Sequence, residues 1–171
     1  YNWPVRAVMY KNCLLEQRVT IDGSDKELVV YNVHLDAYGK EEGKTEQLDI
    51  LINKMKEEYD KGNYVIAGGD FNQTFPGVDT EKFPVVNTDN FVPTQMSEDY
   101  LPEDFKFVTD LERPSSRLLN EVYSGSYDNT QLYIIDGYIV SENVDVESVE
   151  TIENNFSYSD HHPVKLEVRL K

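Results

Sequence analysis

The fold turns on Tyr64-Val65-Ile66-Ala67-Gly68-Gly69-Asp70-Phe71-Asn72-Gln73. Tyr64 to Ala67 is apolar at every position, which predicts a short strand buried on both faces, as in a covered parallel sheet. The apolar run stops at a glycine pair and gives way to Asp70 and Asn72. Ligands of open α/β sheets sit beyond the carboxyl ends of their strands. A carboxylate and an amide placed there can hold a water and take its proton. Spaced by two along an extended chain, they face one way while Phe71 anchors the other side. The competing reading is a local turn in which Asp70 and Asn72 bond their own backbone; these residues alone leave the two readings level.

The segments on either side extend the pattern. Leu48, Leu51, Ile52, Met55 and Tyr59 form one apolar stripe at helical spacing. It predicts a helix capped by Thr45, running to about Lys61 and stopped by Gly62-Asn63. Before it, Leu28 to Leu35 reads as a strand. The turn Asp22-Gly23-Ser24-Asp25 would pair it as a hairpin with a strand over Cys13 to Ile21. Val5 to Tyr10 reads as a further strand. Strand, helix, strand implies a layered α/β unit. Phe75 to Asp110 is irregular, with prolines at 76, 84, 93 and 102, and holds a short strand over Phe105 to Thr109. Strands are also expected over Leu118 to Tyr123, Leu132 to Val140, Val144 to Ile152 and Pro163 to Leu170. No linker or repeat interrupts residues 1–171, which read as one unit.

Composition narrows the function classes. Apolar residues make up 39% and aromatics 12% of the 171, enough for a sizeable core. The single cysteine, Cys13, excludes an internal disulfide and a thiolate metal cluster. It sits in an apolar stretch and reads as a buried, inert thiol. No serine lies in a Gly-x-Ser-x-Gly elbow, which disfavours covalent serine catalysis. The run Leu28 to Val33 is far too short to span a bilayer. No signal peptide is visible, but Tyr1 is not an initiator methionine, so an upstream segment is expected and no compartment is assigned. The net charge of −16 disfavours tight binding to nucleic acid, which relies on Lys and Arg displacing counterions. The plainer meaning of that charge is solubility.

Three more segments place polar residues where the apolar pattern does not want them. In Asn32-Val33-His34-Leu35-Asp36, Asn32 and His34 share one strand face; taken alone, His34 reads first as a satisfied core histidine. In Ile134-Ile135-Asp136-Gly137-Tyr138-Ile139, Asp136 interrupts an apolar strand, and a buried carboxylate needs a partner. Ser159-Asp160-His161-His162-Pro163 leads into the last strand. A carboxylate beside an imidazole can ligate a metal and meet a phosphate, or be no more than a loop.

Taken together, and in this order from Asn32 to Pro163, the segments resemble the endonuclease/exonuclease/phosphatase superfamily, which includes deoxyribonuclease I-like enzymes. Asn32 to Leu35 is similar to the family's Asn-x-His-Leu. Gly69 to Asn72 is similar to Gly-Asp-Phe-Asn, and Ser159 to Pro163 to Ser-Asp-His-x-Pro. Ile135 to Ile139 resembles Ile-Asp-x-Ile, with both Gly137 and Tyr138 between Asp136 and Ile139. The resemblance implies a four-layer α/β/β/α sandwich and metal-dependent hydrolysis of phosphoesters. Asp70 would be the general base, and Asn72 would orient the attacking water. His34 and His161 would hold the phosphate, and Asp136 would fix His161. Asp160 would bind the metal, Mg²⁺ or Mn²⁺, which suits an oxygen-rich set. Asn32, Tyr38 and Arg117 are candidate substrate contacts; His162, at a variable position, receives no role.

The family also has an asparagine and a metal-binding glutamate well upstream of Asn-x-His-Leu. Only 31 residues precede Asn32, and Glu16 does not match that context. The chain is therefore expected to start partway through the domain and to need the upstream segment to complete its site. The loop from Thr74 to Asp110 carries eight acids and only Lys82 and Lys106, a poor cradle for a polynucleotide. A small or lipid phosphoester is the expected substrate. A DNA endonuclease is the alternative enzyme, and an inactive binding or structural fragment the alternative of another class.

Overall fold

The computed structural model describes residues 14–37, 41–83, 91–119, 123–128 and 130–171. The expectations for Val5 to Tyr10, Cys13 and Tyr38 lie outside these residues. Among them are nine strands: β1 (Leu15–Thr20), β2 (Glu27–His34), β3 (Tyr64–Asp70), β4 (Phe105–Val108), β5 (Ser116–Arg117), β6 (Leu132–Tyr133), β7 (Asp136–Ser141), β8 (Val144–Thr151) and β9 (Val164–Leu170). One helix, α1 (Glu41–Tyr59), crosses from β2 to β3. The main sheet has the order β1-β2-β3-β7-β4, and β5-β6 and β8-β9 form two-stranded ribbons. β1 and β2 are the expected antiparallel hairpin. β2 and β3 are parallel, as an intervening helix requires.

Strand alternation assigns the two faces. Val29, Tyr31 and Val33 of β2 turn toward α1 and are buried with Leu48, Leu51 and Met55 of its stripe. Val65, Ala67, Phe71 and Phe75 complete that core. The opposite face carries Tyr64, Ile66 and Val140, packed against Val144 and the half-buried Val146, Leu166 and Val168 of β8-β9. Helix, sheet and ribbon make three layers, with both sheet faces used near β3. Burying such side chains contributes roughly 1.5–3 kcal/mol each.

Three elements depart from the sequence expectations. The helix begins four residues before Thr45, so Thr45 is interior and not a cap. A lone glycine, Gly43, costs about 1 kcal/mol in a helix and does not stop one. The run from Leu132 to Val140 is not one strand. β6 and β7 are separated by Ile134 and Ile135, because the hydroxyl of Ser115 takes the N–H groups of Ile135 and Asp136 out of the ladder. Leu118 and Leu119 are not strand either: β5 ends at Arg117 and Leu119 is 65% exposed, while residues 120–122 of that expectation lie outside the described residues.

The outer strand β1 is exposed along its whole length. It is held from beneath by one ion-pair cluster. Arg18 reaches the buried carboxylate of Glu58 near the end of α1 through both terminal nitrogens, at 3.0 and 2.7 Å. Lys61 and Asn63 bond the same carboxylate at 2.6 and 2.9 Å. No helix among the described residues is long and apolar enough to cross a membrane.

Candidate active site

The site lies where β2 and β3 end and β7 begins. Pairing register puts His34 beside Asp70 and Asp70 beside Asp136. All three therefore point to the β8-β9 side of the sheet. Gly69 makes this approach possible. Its φ is +143°, and a Cβ there would lie 2.0 Å from the Val33 carbonyl oxygen, so only glycine lets β2 and β3 close up beneath the cluster.

Asp70 is held by Asn72, whose backbone N–H donates to Oδ1 at 2.8 Å and whose Nδ2 donates to Oδ2 at 3.1 Å. The second Asn72 amide hydrogen goes to the Leu35 carbonyl at 2.8 Å, which leaves Oδ1 for a ligand. Asn72 is not extended, as spacing by two had suggested: its φ is +50°. The turn reading is realised, with Asp70 accepting from the Asn72 backbone N–H. His34 Nε2 stands 3.7 Å from Asp70 Oδ2 with its side chain 76% exposed. It is not a core histidine.

His161 enters from the far side. Its Nδ1 donates to Asp136 Oδ2 at 2.9 Å. Its Nε2 stands 3.8 Å from Asp70 Oδ2 and 4.0 Å from Asp160 Oδ2, with the Ser116 hydroxyl at 3.2 Å. Burial disfavours the imidazolium, but the Asp136 hydrogen bond and the charges of Asp136, Asp70 and Asp160 outweigh it, and the His161 pKa is raised. The Asp70 pKa is also raised, by burial first and by the Asp136 charge second. Two carboxylates crowded in this way are relieved by a bound cation. One ligand atom each from Asp70, Asp136 and His161 lie within 4.8 Å of one another, so the donors fit a divalent ion. Asp160 stands just outside that group.

No protein-family profile matches the chain, and no curated protein matches it in sequence. Solved structures do. TDP2 of D. rerio, complexed with a single-strand DNA product, superposes with a TM-score of 0.60 at 20% identity, over 91% of this chain and 61% of that one. The human Nocturnin catalytic domain with bound sulfate gives 0.57 at 17%, over 94% and 53%. An endonuclease/exonuclease/phosphatase from Bacteroides vulgatus gives 0.56 at 22%, over 90% and 54%. The chain has an endonuclease/exonuclease/phosphatase fold. It spans a little over half the length of the structures it matches.

The other candidate residues of this fold divide. Asn32 is exposed, two residues before His34 on the same face. It lines a cleft of about 310 Å³ with Gly68, Asp136 and Tyr138. Arg117 lines a second cleft of about 310 Å³ with Asn72, Ser116, Tyr133, Asp160 and His161. Its guanidinium lies over the Tyr123 ring at 5.0 Å, and its Nε is buried without a hydrogen-bond partner among the described residues. Arg113 is spent on Glu150, at 2.7 Å. The satisfied core histidine is His162: Nδ1 donates to the Pro114 carbonyl, Nε2 accepts from the Phe156 N–H, and the ring stacks on Phe156 at 3.7 Å. Sequence reasoning missed Ser115 and Ser116. They are small polar residues in a loop, and their only signal was their place between Arg113 and Arg117.

Proposed function

We propose that this chain is part of a divalent-metal-dependent phosphoesterase that directs water onto phosphorus. The observation that carries the reading is the pairing of His161 with Asp136 at 2.9 Å, with Asp70 3.8 Å from its other nitrogen and His34 beside Asp70. With Nδ1 committed to Asp136, Nε2 is the atom that meets a phosphoryl oxygen. His34, exposed on the opposite side of Asp70, meets a second oxygen. Asp70 accepts the proton of the attacking water, which the Asn72 Oδ1 orients.

Mg²⁺ or Mn²⁺ is the expected ion, held by Asp160 with Asp70; the Asp70, Asp136 and His161 group is the other ligand set. When bound, such an ion neutralises charge that builds on the phosphoryl oxygens. Leu15 and Val19 are 66% and 43% exposed on the sheet face they share with Asn32. In our reading a further layer covers that face.

The favoured substrate is a small or lipid phosphoester, on the net charge of −16. DNA cleavage is the alternative, and an inactive binding module the reading of another class. Assaying the full-length protein for phosphate release from a phosphomonoester panel, beside plasmid nicking, separates the three. Release without nicking, lost in His161→Ala, is the expected result. Nicking without release selects the nuclease, and silence in both assays in Mg²⁺ and in Mn²⁺ removes the enzyme reading.

A further inference from the structure

The segment Pro114-Ser115-Ser116-Arg117 touches every part of the His161 side of the site. The Ser115 N–H donates to the Tyr133 carbonyl at 2.8 Å, and the Ser115 carbonyl accepts from the His162 N–H at 2.8 Å. The Arg117 N–H donates to the Asp160 carbonyl at 2.9 Å. The Pro114 carbonyl accepts from His162 Nδ1. One short strap thus fixes the backbone on both sides of His161 and the end of β6.

At its centre the Ser115 side chain is fully buried, and its hydroxyl is saturated. It accepts from the Ile135 N–H at 3.0 Å and the Asp136 N–H at 3.1 Å. A hydroxyl has one proton and two acceptor lone pairs. With both lone pairs used, its proton has one destination, Asp136 Oδ2 at 2.7 Å. That is the oxygen that also accepts from His161 Nδ1. The Asp136 carboxylate is therefore held from both sides, at Oδ2 by a serine that does not reach the cleft and at Oδ2 and Oδ1, 2.9 and 3.1 Å from Nδ1, by a histidine that does.

We infer that Ser115 is a positioning residue: its hydroxyl sets the rotation of the Asp136 carboxylate, and through it the tautomer and aim of His161. The inference rests on the proposed phosphoesterase reading for its catalytic meaning, though not for its geometry. Partners one step behind a working histidine contribute in this way in metal sites and triads, because a misaligned or wrongly protonated imidazole cannot do its work.

The test separates the hydroxyl from the fold. In ¹⁵N-histidine-labelled protein, with His161→Gln used to assign the resonance, the wild type is expected to hold His161 as the Nδ1–H tautomer with a slowly exchanging Nδ1 proton. Ser115→Ala and the nearly isosteric Ser115→Cys lose that proton signal, while Ser115→Thr, which keeps the hydroxyl, restores it. The His162 ring, hydrogen-bonded to the Pro114 carbonyl and the Phe156 N–H and stacked on Phe156, serves as the internal record that the strap is still folded. In turnover, Ala and Cys lower kcat about 10- to 100-fold with KM unmoved, and Thr recovers most of it. An Nδ1 signal that survives in both Ala and Cys overturns the inference. So does its loss in Thr as well, with His162 intact, since the hydroxyl would then be irrelevant. If the wild type hydrolyses nothing while the imidazole responds as stated, the phosphoesterase reading falls and the positioning role stands.

Discussion

Asp70 and Asn72 are joined by two hydrogen bonds, and each predicts a separable effect. Asp70 has a raised pKa because burial and Asp136 disfavour its charge. A carboxyl whose folded pKa lies above its unfolded value keeps more protons when folded, so its stability contribution is full at low pH and lost as pH rises through the folded value. Asp70→Asn is therefore expected to abolish turnover by orders of magnitude while leaving stability at pH 7 unchanged or higher. In denaturant titrations that margin should shrink as pH falls through the raised folded value and level off below the ordinary aspartate value of about 3.9. A mutant clearly less stable at pH 7 would show that Asp70 is structural. Asn72 predicts the reverse bookkeeping. Its φ of +50° costs a residue with a Cβ roughly 1–2 kcal/mol. Asn72→Gly should thus be more stable than Asn72→Ala by about that amount, with both equally inactive, since each lacks the amide. Equal stabilities would refute the strain. At this scale Asp70, His34 and His161 were legible because polar side chains broke an apolar pattern. Ser115 was not, because a buried serine that satisfies two N–H groups leaves no mark on periodicity.

Elements were legible where one face is wholly apolar. α1 was found from its stripe and β3 from its unbroken run. The errors came where a side chain or a missing face overrode local pattern. Ser115 splits β6 from β7 by replacing ladder partners, and Leu118-Leu119 has strand composition but leaves Leu119 largely exposed. β1 reveals a further rule of this fold: its hold on the molecule is polar. Glu58 is buried, and the Arg18 hydrogen bonds lower its pKa to about 2, with Lys61 and Asn63 assisting. A depressed carboxylate stabilises above its unfolded pKa and loses that contribution as pH falls through the folded one. Wild type should accordingly lose stability relative to Glu58→Gln between pH about 4.5 and about 2. Arg18→Met should cost about 1–3 kcal/mol at pH 7, the range for hydrogen bonds to a buried charge, and should unlatch β1 first. Amide exchange of residues 15–20 measures this locally. Protection unchanged in Arg18→Met would mean that the backbone ladder to β2 alone holds the strand.

For the molecule as a whole, net charge and site charge must be told apart. With −16 overall, compact folding works against self-repulsion, so any salt raises stability by screening. A cation bound at Asp70, Asp136, Asp160 and His161 does more. Binding that is confined to the folded state adds RT ln(1 + [L]/Kd), about 2.7 kcal/mol at a hundredfold excess over Kd. Mn²⁺ or Mg²⁺ should therefore raise the unfolding midpoint beyond NaCl of equal ionic strength, with a logarithmic dependence on metal concentration. The excess should vanish in Asp70→Asn. Between Asp160→Asn and Asp136→Asn, the variant that loses it names the ligand set. Asp145→Asn on β8, whose carboxylate faces Lys171 at 3.3 Å, should keep it in full. The layered architecture was legible from strand, helix, strand alone, but this charge logic was not, because acids bunched by register are invisible until β2, β3 and β7 are laid side by side. If NaCl at matched ionic strength reproduces the whole effect, or if Asp145→Asn loses it equally, the acids around His161 act only as part of a diffuse negative surface, and the metal site proposed here does not exist.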